Sequence, residues 1–99
     1  MNKVKSRKKN VAVILEGIAG IDNAHDIKDK LLKAVNNNQT VAINVEKVES
    51  SDIAVLQLMY AMMQHCVQVN KSFTIHAGAN QIFKNLLVNS GYEEYFQLK

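Results

Sequence analysis

The sequence predicts an α/β fold: a single mixed, largely parallel sheet of about four strands, with helices mainly on one face. Three observations carry this. Short β-branched apolar runs recur at Val11–Leu15, Thr40–Val45 and Ser72–His76. Each is followed by a segment with apolar residues at helical spacing. The connections between them are short, which implies right-handed crossovers and parallel neighbours.

In chain order, Val4 to Arg7 reads as a short edge strand, since edge lysines discourage sheet-to-sheet association. Residues 1–9 are thus a basic edge strand or a flexible segment, and Lys8-Lys9-Asn10 forms a turn. Val11–Leu15 is a buried strand, with Gly17 just beyond it and Gly20 breaking the chain again. Asp22 or Asn23 caps the next helix by accepting hydrogen bonds from free amides. Ala24, Ile27, Leu31, Ala34 and Val35 form its apolar stripe, and Asp26 and Lys30 are spaced for a helix pair. Asn36-Asn37-Asn38 ends it, because asparagine tolerates left-handed angles and bonds its own main chain.

Thr40–Val45 is the second strand, and Lys47 to Asp52 reads as the loop that leaves it. Asp52 caps a helix running from Ile53 to about Val69. Ile53, Leu56, Met59, Tyr60, Met63 and Val67 make one stripe, widened by Val55, Leu58, Met62 and Cys66. Apolar almost all round, this helix is expected to sit inside the domain. Asn70-Lys71 closes it, and Ser72–His76 alternates like a third core strand. Ala77-Gly78-Ala79-Asn80 is a loop with a cap, Ile82, Phe83, Leu86 and Leu87 mark a short helix, and Ser90-Gly91 terminates it. Tyr92 to Leu98 is a tail whose Tyr92, Tyr95 and Phe96 are available for docking.

Ninety-nine residues are read as one domain spanning 1–99. No apolar run approaches the about 18 residues needed to span a bilayer, and no secretory signal is recognised. The single cysteine, Cys66, cannot form an internal disulfide, which fits a reducing cytoplasm. The net charge of +3 is uneven, because Lys3, Lys5, Arg7, Lys8 and Lys9 supply five of the twelve basic residues. The other seven are outnumbered by nine acids, leaving the body mildly acidic. No aromatic stacking set or groove-reading helix accompanies the basic segment, so nucleic acid is not the expected partner.

Chemistry-bearing motifs are few. In parallel sheets, loops that leave strand carboxyl ends and enter helices are the usual places for sites, which singles out Lys47 to Asp52. The helix start there offers free amides to a phosphate or an acidic partner, and Ser50 and Ser51 could be phosphorylated. Caps alone would explain Ser51 and Asp52, and spacing by itself favours that reading. His25, His65 and His76 come with no motif tying them to a nucleophile, and Cys66 lies on a buried helix face. His65 and Cys66 are adjacent and diverge on a helix, so no metal pair arises. Neither catalysis nor a cofactor is expected.

Several short stretches, taken in order, resemble the STAS domain family of anti-sigma factor antagonists and sulfate-transporter tails. They are Leu15-Glu16-Gly17 ending the first strand, Ile43-Asn44-Val45 followed by Val48, Asp52 before Leu56-Gln57-Leu58-Met59, and Asn89-Ser90-Gly91-Tyr92. The resemblance spans Val11 to Phe96. It implies a regulatory motif, Asp-Ser-Ser-Gly-Leu or Asp-Thr-x-x-Leu, at the start of the central helix. Two registers fit. Aligning Glu49-Ser50-Ser51-Asp52-Ile53 makes Ser51 the phosphoacceptor. Aligning Asp52-Ile53-Ala54-Val55-Leu56 needs no gap, keeps Asp52 as the cap, and puts Ile53 and Ala54 where hydroxyls belong. The second register is preferred, and it is similar to small STAS proteins of chemotaxis clusters.

What the resemblance implies is a cytoplasmic bacterial signalling module without catalytic activity. Its partner would be a GHKL-type kinase or anti-sigma factor, or a chemotaxis-like histidine kinase. The contact surface would comprise Glu49, Ser50, Ser51, Asp52, Ile53, Ala54 and Gln57, with Gly78, Ala79 and Asn80 from the next loop. Two alternatives stay open. One is a phospho-switched antagonist using Ser51, with Ser50 as a further candidate; the other is an accessory STAS subunit of a lipid-transport ABC complex.

Overall fold

The structure is a computed structural model and describes residues 10–96. The expected Val4–Arg7 strand and the end of the tail lie outside the described residues. Within them the order is β1 (Asn10–Ala19), α1 (Ala24–Asn37), β2 (Thr40–Ser51), α2 (Ile53–Gln68), β3 (Ser72–His76) and α3 (Gln81–Ser90). Single 3-10 turns stand at Ile21–Asn23 and Glu93–Tyr95. The strands pair in parallel in the order β1-β2-β3, so each crossover steps the same way along the sheet. Right-handed crossovers that all step one way leave their helices on one face.

Strand alternation shows that face directly. Val41, Ile43 and Val45 of β2 are fully buried, with Leu15 of β1 and Ile75 of β3 beside them. Ala12 and Ile14 point the other way and are exposed. The helices add Leu31, Val35, Leu56, Met59, Cys66, Phe83 and Leu87 to the same core.

Three expectations need correction. First, β1 does not stop at Leu15. It runs to Ala19 by taking register shifts between Ile14 and Glu16 and between Gly17 and Ile18. The extra residues at both shifts lie on β2, and Gly17 of β1 takes φ 66 beside the second. Second, Lys47 to Ser51 is not a loop but the end of β2, with Ile18 opposite Ser50 and Ala19 opposite Ser51. Asn10, expected in a turn, likewise opens β1 and pairs with Thr40. Third, α2 is not enclosed. It buries Val55, Leu56, Met59, Met62 and Cys66 on the sheet side, while Val67 on its outer side is 69% exposed. A helix in a single layer over a sheet has only one covered face.

The helix ends follow the expected residues, with differences in mechanism. Asn23 is the N-cap position of α1 but makes no side-chain cap bond, because the 3-10 turn already leads into the helix. Asn38 ends α1 in an extended conformation, its side chain donating to the Ala34 carbonyl oxygen at 2.9 Å. On α1 the side-chain pair within reach is His25–Asp29 at 3.6 Å, rather than Asp26–Lys30. After α2, Asn70 turns left-handed at φ 60, and the Lys71 amide reaches back to the Cys66 carbonyl at 2.8 Å. After α3, Gly91 does the same at φ 82 and the Tyr92 amide reaches Leu87 at 3.0 Å. The tail aromatics then close on α2, with Tyr60 edge-on to Tyr92 at 5.8 Å and Phe96 buried beside them.

Candidate functional site

Parallel strands point their carboxyl ends the same way, and β1 and β2 run on together past β3, whose last pair is His76 with Asn44. Asp52 follows the end of β2. Its Oδ1 accepts the Val55 amide at 3.3 Å and caps α2, while its Oδ2 accepts the Ile21 amide at 2.9 Å. One carboxylate therefore ties the start of α2 to the turn after β1. Gly20 fits closely under this bridge, since a Cβ there would stand 3.0 Å from Oδ2.

Ser51, one residue earlier, is half-buried, and its hydroxyl donates to the Ala19 carbonyl oxygen at 2.7 Å. That bond closes the β1–β2 ladder at its last pair. Ser50 is exposed opposite Ile18. In the first turn of α2, Ile53 is exposed, Ala54 half-buried and Gln57 exposed. Ile53 and Ala54 offer no hydroxyl, so the only serines near the helix start lie in the strand.

The loop before α3 is joined to β2 through Asn80. Its Oδ1 accepts the Phe83 amide at 3.0 Å and caps α3. Its Nδ2 donates to the carbonyl oxygens of Val45 at 2.7 Å and Val48 at 2.8 Å. These β2 carbonyls sit where the strand kinks and would otherwise want partners. Gly78 is left-handed at φ 54, and any side chain there would collide with the Glu46 carboxylate that lies across it. Glu46 is in turn held by Asn44, which donates to Oε1 at 2.9 Å. Between this loop and β2 runs an open groove of about 510 Å³, lined by Glu46–Glu49 and by residues 79–82.

The expected site residues fall in two groups, Glu49 with Ala79 and Asn80 around the groove and Asp52 beside the turn after β1, and they play two roles. Asp52, Ser51 and Asn80 spend their polar atoms on the fold, whereas Glu49, Ser50, Ile53, Gln57, Gly78 and Ala79 face outward. Sequence reasoning missed a third contributor, the end of β1 and its turn. Ile18 and Ile21 are 69% and 68% exposed beside the Asp52 bridge. The rule that singled out the β2 exit applies equally to β1, and would have found them. Among the described residues, no group of three or more His, Cys, Asp or Glu side chains could hold a metal ion. No described helix is long and apolar enough to cross a membrane.

A parallel β-α-β-α-β-α chain with a capped central helix is the STAS architecture. A family model described as "Mlab, STAS domain" matches residues 2–96, and the chain belongs to the STAS domain family. Among solved structures it is similar to the anti-sigma factor antagonist SpoIIAA in its unphosphorylated form. The TM-score is 0.73 at 16% identity, over 94% of this chain and 82% of that one. A Thermotoga maritima protein, provisionally described as an anti-sigma factor antagonist, gives 0.73 at 18% identity, over 93% and 83%. The SulP transporter STAS domain from Vibrio cholerae gives 0.62 at 16%, over 92% and 70%. At such identities the likeness is one of fold. No curated protein matches the sequence.

Proposed function

We propose that this chain is a non-catalytic STAS module of bacterial signalling. It binds a kinase-like or anti-sigma partner in the cytoplasm through Glu49–Ala54 and the start of α2, without the usual phosphoacceptor. One observation carries this reading. Asp52 occupies the cap, and the residues that follow it, Ile53 and Ala54, have no hydroxyl to phosphorylate. Ser51 precedes the cap, and its oxygen is engaged with Ala19. The first turn therefore offers a partner a fixed, partly apolar surface rather than a charge-switched one. The antagonist SpoIIAA, whose fold this chain shares, lends the partner class.

A second reading is an accessory STAS subunit of a lipid-transport ABC complex, which would bind the nucleotide-binding protein. It is favoured by the matched family's description as "Mlab, STAS domain" and by the transporter STAS domains among the structural neighbours.

Affinity capture from the native host, with the recovered protein identified by mass spectrometry, separates the two. The first reading expects a kinase-like ATPase or anti-sigma factor, and the second expects an ABC nucleotide-binding protein. In either case Ile53→Glu, checked for folding by circular dichroism, should abolish recovery; undiminished recovery would remove the proposed surface. Incubation of the chain with a recovered kinase and ATP should leave its intact mass unchanged. A gain of one phosphate that Ser51→Ala prevents would establish the phospho-switched antagonist instead.

A further inference from the structure

Large exposed apolar side chains usually lie scattered singly over a protein surface. Here three exposed isoleucines lie on segments that meet at one junction, where Ile18 pairs opposite Ser50, the Ile21 amide bonds Asp52 and Ile53 follows it. Ile18 and Ile21 are 69% and 68% exposed, and Ile53 is 47% exposed. They come from different elements: Ile18 from the end of β1, Ile21 from the turn that follows, and Ile53 from the first position of α2. What gathers them is the Asp52 bridge. Its Oδ2 holds the Ile21 amide at 2.9 Å, its Oδ1 holds the Val55 amide at 3.3 Å, and the Ser51 hydroxyl fastens Ala19 at 2.7 Å.

The surroundings are acidic. The segments 16–22 and 47–53 carry Glu16, Asp22, Glu49 and Asp52 against one base, Lys47. Glu16, Asp22 and Glu49 are exposed, and none of them is in an ion pair among the described residues. An apolar centre with an acidic rim suits a partner face of opposite sign, because rim charges steer encounter and apolar centres carry affinity.

We propose that Ile18, Ile21 and Ile53 form the apolar centre of the docking surface. Asp52 is its positioning residue, and the partner presents an apolar socket ringed by lysine or arginine. This rests on the docking reading above and adds to it the β1 side of the surface and the chemistry of the partner. Asp52 acts by holding the β1–α1 turn against α2, so that residues 31 positions apart are offered together. A partner that touched only the first turn of α2 would have no need of Ile18 or Ile21.

The test begins on the isolated chain. Asp52→Asn keeps the side chain's shape but leaves only one oxygen to accept two amides. Hydrogen exchange at the Ile21 amide or the Val55 amide should then accelerate about tenfold, the factor that corresponds to losing about 1.4 kcal/mol. Unchanged exchange at both would overturn the positioning role. With the partner recovered and purified, Ile18→Ser and Ile21→Ser should each weaken binding about tenfold, as expected for removing a buried isoleucine. Raising salt should weaken the wild-type complex, and Glu49→Gln should flatten that dependence. Binding lost on Ile53→Glu but indifferent to Ile18→Ser, Ile21→Ser and salt would overturn this surface and leave the docking reading standing. Recovery of no partner would defeat that reading, and this one with it.

Discussion

Two side chains, Asp52 and Asn80, tie the helix starts to neighbouring elements by the same device. Each caps a helix with one atom and reaches a neighbouring element with another. A cap alone is worth about 1 kcal/mol, and the second bond adds a comparable amount because it satisfies backbone that strand pairing cannot. Cys66 is a different kind of residue. It is fully buried on α2, and burial pushes its thiol pKa up, with the Lys71 ammonium pulling partly the other way. The folded state thus favours the neutral thiol. That preference contributes fully below the unfolded thiol's pKa and is lost as pH rises through the folded value. The urea midpoint should therefore fall as pH is raised from neutrality past roughly 8.5. In Cys66→Ala, monitored in parallel, the starting stability should be lower but the fall shallower. Equal slopes in the two proteins would remove this account.

Among the elements, the helix termini and the strand ends behaved differently. Gly91 turns left-handed after α3, and a Cβ placed there would meet nothing within 4 Å. Its substitution cost is therefore backbone strain alone, so Gly91→Ala should lower stability by about 1–2 kcal/mol in urea denaturation. A loss near zero would mean the turn can be made another way. Helix boundaries were legible because their signals are local: a cap, a glycine, an asparagine within a turn of the end. The end of β2 was not. Lys47 to Ser51 reads as a loop, and it is a strand because β2 takes extra residues between Asn44 and Lys47 and between Val48 and Ser50 to stay paired with β1. Pairing between segments far apart in the chain leaves no local signature.

For the whole molecule, one sheet carries one layer of helices, and α2 lies in that layer between its neighbours. Leu56 and Met59 are fully buried where α2 meets the sheet. A domain of this size has about 5–15 kcal/mol of stability in total. Leu56→Ala should remove about 2–5 kcal/mol of it, with a drop in melting temperature of roughly 10 °C or more. A smaller drop would show that the core relaxes around the cavity. The outer face of α2 follows a different logic. Its Val67 and Met63 continue the apolar pattern of the helix, yet one layer leaves Val67 in solvent. Hydrophobic content therefore identified α2 as a core element but could not tell one covered face from two.

By itself the sequence determined the α/β class, the order of elements, the caps at Asp52 and Asn80, and the family. All of these follow from periodicity and short motifs, which act over one or two turns of chain. Only the tertiary structure decided that β2 runs on to Ser51, that Asp52 also grips Ile21, and that Ile18 pairs opposite Ser50. The physical reason is common to the three. Each depends on the parallel register of β1 against β2, which brings together residues about thirty positions apart through hydrogen bonds that no local pattern records.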